Sequence, residues 1–240
     1  MKTNKIFCGI EEYAHLYQDI RSGKYTKCDS PYQLVSEPEP AGIKNIYVSG
    51  MLVPNEMEAE EMRWFGYAAT SYESLNRQIK EAKESDISEV HLIVNSGGGY
   101  VSGIDKVISN LKKLKNVKKV KTFIDGFAAS AAYWIGSISD EITATSLAQV
   151  GGIGAFLVIY DTAQLAEDMG IKSYLIKSTT NKGAGSFGVP IPETAIDAEQ
   201  KVINSISDKF IASVETYREV YDKETAYNGS THLSDEAMRL

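Results

Sequence analysis

Apolar and polar positions alternate over IKNIYVSGMLVP, from Ile43 to Pro54, and predict a strand that ends where proline removes the backbone donor. Ser71 is placed to cap a helix running to about Lys83, with Leu75, Ile79 and Ala82 on one face. Val90–Val94 is short, apolar and followed by Gly97, Gly98 and Gly99, which predicts a buried strand entering a tight glycine turn and then a helix over 101–114. Further along, Val120–Ile124, Glu141–Ala144 and Tyr174–Ile176 read as strands and Ala128–Ile138 as a helix of small residues. Over 195–218, Ile196, Val202, Ile203, Ile206, Phe210, Ile211 and Val214 recur at helical spacing, predicting one long amphipathic helix. Repeated alternation of strands and helices defines an α/β domain, and no internal repeat is visible.

The ends lack this periodicity. Residues 1–42 close on Glu37-Pro38-Glu39-Pro40 and read as an N-terminal arm and linker, leaving 43–220 as the domain. Residues 221–240 read as a polar tail with no core-forming element, as in a chain truncated at Leu240.

At 240 residues with 43% hydrophobic and 24% charged positions, the chain has the make-up of an ordinary globular protein, which excludes collagen-like, coiled-coil and disordered classes. No apolar stretch approaches the roughly 18 residues of a membrane span, and MKTNKIFCGIEEYAH has no signal-peptide pattern, so the expected compartment is the cytoplasm, without membrane insertion. Cys8 and Cys28 are the only cysteines and suit reduced thiols; with His15, His91 and His232 so far apart, no metal site is expected. A net charge of −7 and a pI near 5.1 argue against nucleic acid as partner. Lys112, Lys113, Lys115, Lys118, Lys119 and Lys121 follow a helix end, where positive charge offsets the dipole, and read as solvated surface. The acidic run Glu56–Glu61 reads as an amphipathic helical turn leading into Trp64 and Phe65 as packing residues.

Two segments carry candidate chemistry. Asn95-Ser96-Gly97-Gly98-Gly99 can expose backbone N–H groups to an anion, or can be a bare turn. It fits neither the Walker pattern, which needs Lys-Ser/Thr, nor G-x-G-x-x-G. In Asp125-Gly126-Phe127-Ala128-Ala129-Ser130-Ala131-Ala132-Tyr133-Trp134, Ser130 falls between a strand and a helix of small residues, where a nucleophile can be presented and where a capping serine is equally at home. No histidine lies between His91, expected to point into the core, and His232, in the polar tail, so a Ser-His-Asp triad is disfavoured. Lysine is the remaining base: Lys177 or Lys182, each needing desolvation from a pKa near 10.4 to about 7–8.

NSGGG after HLIV, then FAASAAYW, VGGIGA and IKSTTNKGAG, in this order and spacing, resemble the signal peptide peptidase A family of serine-lysine proteases. The resemblance spans roughly 43–220, and IYVSGMLVP with SYESLNRQIKEA is similar to its phage capsid-assembly (prohead) branch. It implies the Clp protease/crotonase-like fold: repeated strand-strand-helix units in a single catalytic domain with an N-terminal arm. It further implies Ser130 as nucleophile, Lys182 as general base, and the backbone N–H groups of Gly98 and Ala131 at helix beginnings as the oxyanion hole. Gly99, Tyr100 and Gly152 would bind substrate, an extended polypeptide such as a scaffold or capsid protein or the chain itself, without cofactor, in a homo-oligomeric ring in the host cytoplasm or procapsid. Two positions depart from the family: Gly97 replaces a usual proline, and Gly152 a serine that orients the lysine, leaving Thr179, Thr180 or a water for that task. A catalytically impaired structural ring of the same fold is therefore the alternative reading. A crotonase-like acyl-CoA enzyme would need an acid/base carboxylate near the turn, and the serine-lysine pairing speaks against it.

Overall fold

The computed structural model describes residues 7–9 and 40–240. An eight-stranded sheet is built from β1 (Phe7–Gly9), β2 (Ile43–Val53), β3 (Ala69–Ser71), β4 (Glu89–Tyr100), β5 (Lys119–Ala129), β6 (Glu141–Ala144), β7 (Gln149–Gly151) and β8 (Thr231–Leu233). Its main path is β3-β2-β4-β5-β7-β8, with β6 on β5 and β1 on β4. Pairing is parallel throughout except β1 on β4 and β7 on β8. The helices are α1 (Glu56–Trp64), α2 (Tyr72–Glu84), α3 (Ile104–Lys115), α4 (Ala131–Ser137), α5 (Ala163–Asp168), α6 (Glu193–Tyr217), α7 (Lys223–Ala226) and α8 (Ser234–Ala237). This is the α/β class expected from the alternation.

Local chemistry explains the helix starts. Asn55 Oδ1 accepts from the Glu58 N–H to cap α1, and Ser71 Oγ accepts from the Ser74 N–H to cap α2. The apolar faces of α2 and α3 close over the central strands, burying Leu75, Ile79, Val107 and Leu111 with Val48, Leu92 and Val94. A smaller core under α1 joins Met51, Met62 and Tyr100. Trp64, expected to pack, is half exposed.

The basic run pairs off as surface. Lys115 bridges to Asp140 at 2.8 Å and Lys121 to Glu89 at 2.9 Å, while Lys118 Nζ donates to the Ser85 and Ile87 carbonyls. His91 does not enter the core: it tilts against Phe123 and bonds Glu89 on the face of the sheet.

Four elements depart from the sequence reading. The glycine run is not a turn into a helix, because β4 continues through Tyr100 and α3 begins only at Ile104, after Gly103. Tyr174–Ile176 is no strand, since no partner strand reaches it among the described residues. Burial of the long helix is concentrated towards its C-terminal part, with Ala195 buried at its start: Phe210 stacks on Trp134 at 4.6 Å, whereas Ile196 and Val202 are exposed. The 221–240 stretch is integrated rather than a loose tail, because β8 extends the sheet and the Leu240 carbonyl accepts from the Asp222 N–H at 2.8 Å. Residues 1–6 and 10–39 of the expected arm lie outside the described residues.

Candidate active site

The site begins where β4 and β5 part. Val94 lies opposite Ile124 and Ser96 opposite Ala128, so β5 carries extra residues, Asp125 and Gly126 among them, in a bulge. Asn95 Oδ1 holds that bulge by accepting from the Phe127 N–H at 3.2 Å. Gly126, at φ 101°, has no room for a side chain, since a Cβ would lie 2.8 Å from the same oxygen.

Beyond the bulge the chain turns sharply into α4 at Ser130. Its φ of 55° with ψ of −124° makes it the only non-glycine residue with positive φ among the described residues. Holding an L-residue there costs about 1–3 kcal/mol, so the surroundings must hold it firmly. They do: the Ser130 N–H donates to the Gly151 carbonyl at 2.7 Å, its own carbonyl accepts from the Trp134 N–H at 2.9 Å, and the residue is 5% exposed. Such strain at a strand-to-helix junction is the backbone geometry that lifts a serine hydroxyl clear of a sheet. Ala131 follows as the first residue of α4, where an N–H has no intrahelical acceptor and carries part of the positive end of the helix dipole.

Gly98 lies on β4 just beyond its last pairing with β5. Ser96 and Ala128 are partners, and Gly98 and Ser130 each lie two residues further along. The Gly98 N–H, however, donates to Ser96 Oγ at 3.1 Å, and that hydroxyl donates to the Gly50 carbonyl at 2.6 Å. Gly98 also sits inside a strand rather than at a helix beginning, so of the two expected oxyanion donors only Ala131 has help from a helix terminus. Gly99 is explained by packing, because a Cβ would fall 2.0 Å from the Leu52 carbonyl oxygen. The Tyr100 side chain belongs to the smaller core and its carbonyl accepts from Tyr72 Oη at 2.6 Å, which leaves main chain, not side chain, for any role at this edge.

Gly152 also has a structural reason. At φ 61°, a Cβ there would be strained and would lie 3.3 Å from the Ser130 nitrogen. A serine at 152 would therefore press on the backbone that holds Ser130. Gly152 N–H in turn donates to the Ser230 carbonyl at 2.8 Å, so the segment entering β8 forms a wall behind Ser130. Sequence reasoning missed that wall: THL is too short for periodicity, and His232, treated as a tail residue, is packed beside Val150 with only 10% of its side chain exposed. On the other side of α4, burial pushes the Tyr133 phenol above its ordinary pKa, partly offset by the nearby Arg218 guanidinium.

Lys182 is exposed on the 177–185 loop, and its side chain makes no hydrogen bond or ion pair with a described residue. Lys177 is also exposed, with Nζ donating to the Thr180 carbonyl at 2.6 Å. The two halves of the expected dyad thus stand on differently built parts of the chain. Among the described residues no group of three or more His, Cys, Asp or Glu converges as a metal site would require, and no helix is long and apolar enough to cross a membrane. A 620 Å³ surface cavity lies elsewhere, between α2 and the Pro54–Asn55 corner, with Glu73, Arg77 and Lys106 in its walls.

Comparison with known proteins adds a family to this geometry. Residues 112–239 match the model described as Peptidase family S49, a range that includes Ser130 and Lys182 but not the glycine run of β4. The chain is 30% identical over 136 residues to the "Putative protease MJ0651" of Methanocaldococcus jannaschii, covering 57% of this chain and 44% of that protein. It is 23% identical over 190 residues to the "Capsid assembly protease C" of Escherichia phage lambda, covering 79% of this chain and 42% of that one. The chain thus spans less than half the length of these relatives. Among solved structures it is similar to a point mutant of ClpP1 from Listeria monocytogenes, at 12% identity and a TM-score of 0.47, over 81% of this chain and 85% of that one.

Proposed function

The chain belongs to peptidase family S49, and on that premise we propose that it is a serine endopeptidase with Ser130 as nucleophile and Lys182 as general base. The observation that carries the reading is the backbone of Ser130. A buried serine kept at φ 55° between a strand and the N-terminus of a helix serves no packing need that glycine would not serve better.

In the reaction, Ser130 Oγ bonds to the substrate carbonyl carbon while neutral Lys182 Nζ takes its proton. The oxyanion is met by the Ala131 N–H and by that of Gly98 once the latter turns from Ser96 Oγ. As the carbon–nitrogen bond breaks, the lysine returns its proton to the departing amine. Water then attacks the ester, releasing a carboxylate and regenerating the serine.

Because Lys182 is exposed in one copy, the proposed dyad is assembled between copies: the 152–192 segment of one copy carries its lysine to the Ser130 of the next, in a homo-oligomeric ring. Support comes from that segment's uncovered apolar side chains, Tyr174 at 84% and Ile176 at 97% exposure. The alignment with the lambda protein over most of this chain supports the capsid-assembly branch, with a scaffold or capsid polypeptide as substrate and action in the host cytoplasm or procapsid. Gly152 favours the second reading, a non-catalytic ring of the same fold.

The test is intact-mass analysis of an unstructured protein incubated with the wild-type chain, Ser130→Ala and Lys182→Ala. Cleavage by wild type alone is expected. Cleavage surviving in Lys182→Ala would remove that lysine as base, and no cleavage by any of three folded chains would favour the structural ring.

A further inference from the structure

Two adjacent residues of β4 fasten it to its neighbours where both ladders are broken. On the β5 side, Asn95 Oδ1 holds the bulge through the Phe127 N–H. On the β2 side, Ser49 lies opposite Asn95 and Met51 opposite Gly98, so the single residue Gly50 faces both Ser96 and Gly97, and the regular strand-to-strand bonds are interrupted. Ser96, 1% exposed, bridges that gap with one hydroxyl: it donates to the Gly50 carbonyl at 2.6 Å and accepts from the Gly98 N–H at 3.1 Å. A hydroxyl has one proton, and with that proton on Gly50 only the lone pairs of Oγ are left for Gly98. Gly50 cannot drift away, because at φ 65° the position of a Cβ would lie 2.0 Å from the Ala68 carbonyl oxygen. The resting bond therefore ties the Gly98 N–H to a fixed point of β2. In the proposed reaction that same N–H meets the oxyanion. A charged oxygen is a stronger acceptor than a hydroxyl, so the N–H moves across when negative charge develops and not before.

We propose that Ser96 is a positioning residue whose hydroxyl latches the Gly98 N–H and withholds that donor from the oxyanion until the transition state. This rests on the peptidase reading and adds a residue to it. Ser96 acts through Gly98 alone. Because its bond is given up between the bound substrate and the transition state, the latch slows turnover and leaves substrate binding as it is.

The experiment measures kcat and KM for casein cleavage by the full chain and by three variants. Ser96→Ala removes the acceptor, Ser96→Cys replaces it by sulfur, a weak acceptor, and Ser96→Thr keeps the hydroxyl. Loss of one neutral hydrogen bond should raise kcat about fivefold in Ser96→Ala, and by less in Ser96→Cys, with KM unchanged in both and Ser96→Thr turning over as the wild type does. A graded gain in kcat is not what loosening a buried strand produces, since disorder there lowers kcat or raises KM. If Ser96→Ala does not fold, the order of cysteine above serine and threonine carries the same test. Unchanged or lower kcat in the folded alanine or cysteine variant, with the wild type cutting casein, overturns the latch and leaves the peptidase reading standing. If no folded chain cuts casein, the peptidase reading fails and the latch with it. The resting bond is decided without activity, by amide exchange in Ser130→Ala with and without Ser96→Ala. Faster exchange at Gly98, with Val90–Val94 unchanged, supports the latch; equal exchange at Gly98 overturns it.

Discussion

Val90–Val94 and Tyr174–Ile176 are both short apolar runs, and the structure treats them oppositely. The first is a buried central strand between β2 and β5, with Val90 and Val94 fully enclosed. The second stays outside the sheet with Ile176 97% exposed. An apolar run becomes a strand only when its N–H and C=O groups find a neighbouring strand, and Tyr174–Ile176 finds none among the described residues. The same contrast divides the site. Ser130 stands buried at the end of β5, and Lys182 stands exposed on a loop.

The sharpest way to break this comparison is at Ser130. Ser130→Gly should abolish cleavage, by about 10³-fold or more, while relief of the positive φ raises stability by about 1 kcal/mol, read from urea unfolding. Loss of both activity and stability would mean that the backbone there depends on the hydroxyl.

Next in size is Lys182. Lys182→Ala should lower the rate by about 10²–10⁴-fold. Mixing it with Ser130→Ala should restore part of the activity, because one intact serine then meets one intact lysine across the interface. No recovery on mixing, with wild type active, would place both groups in one copy.

Packing gives a smaller contrast. Phe210→Ala removes a fully buried ring stacked on Trp134 and should cost about 3–5 kcal/mol of stability. Ile176→Ser should change the unfolding of a single copy by less than about 0.5 kcal/mol yet lower the oligomer mass seen by sedimentation. Equal effects on folding would show that the segment packs within its own copy.

The smallest effect is acid sensitivity of the closed region. Burial raises the Glu56 pKa, but bonds from Ser71 and Arg63 outweigh it and hold the group below its ordinary 4.5. Burial of Asp140 is likewise outweighed by Lys115 and the Val120 N–H, which hold it below 3.8. With folded values below unfolded ones, both stabilise the fold above the ordinary values and lose that contribution as pH falls through them. Urea midpoints should therefore drop as pH falls below 4.5, less steeply in Glu56→Gln.

Much of the fold was legible in the chain. The cap at Ser71, the apolar faces of α2 and α3, and the β-rich runs of β2, β4 and β5 are local signals, and they landed within a few positions of the elements observed. The Ser130 segment was legible as well, by its position between a strand and a run of small residues. The glycine run misled, because three glycines signal freedom to turn, whereas here they permit a strand to run close against another: Gly99 touches the Leu52 backbone. The β8 wall was illegible because three residues carry no period.

From the order of residues alone follow the α/β class, the succession of its main elements and the residue types able to do acyl transfer, since propensity, capping and periodicity act over a few neighbouring positions. Only folding in three dimensions sets Gly152 against the Ser130 nitrogen, pairs Phe7–Gly9 with Gly98–Tyr100, and leaves Lys182 exposed. Each of these is a meeting, or a failure to meet, of segments far apart in the chain, fixed by strand register and by which hydrogen-bonding edges remain unfilled. No local pattern records those quantities.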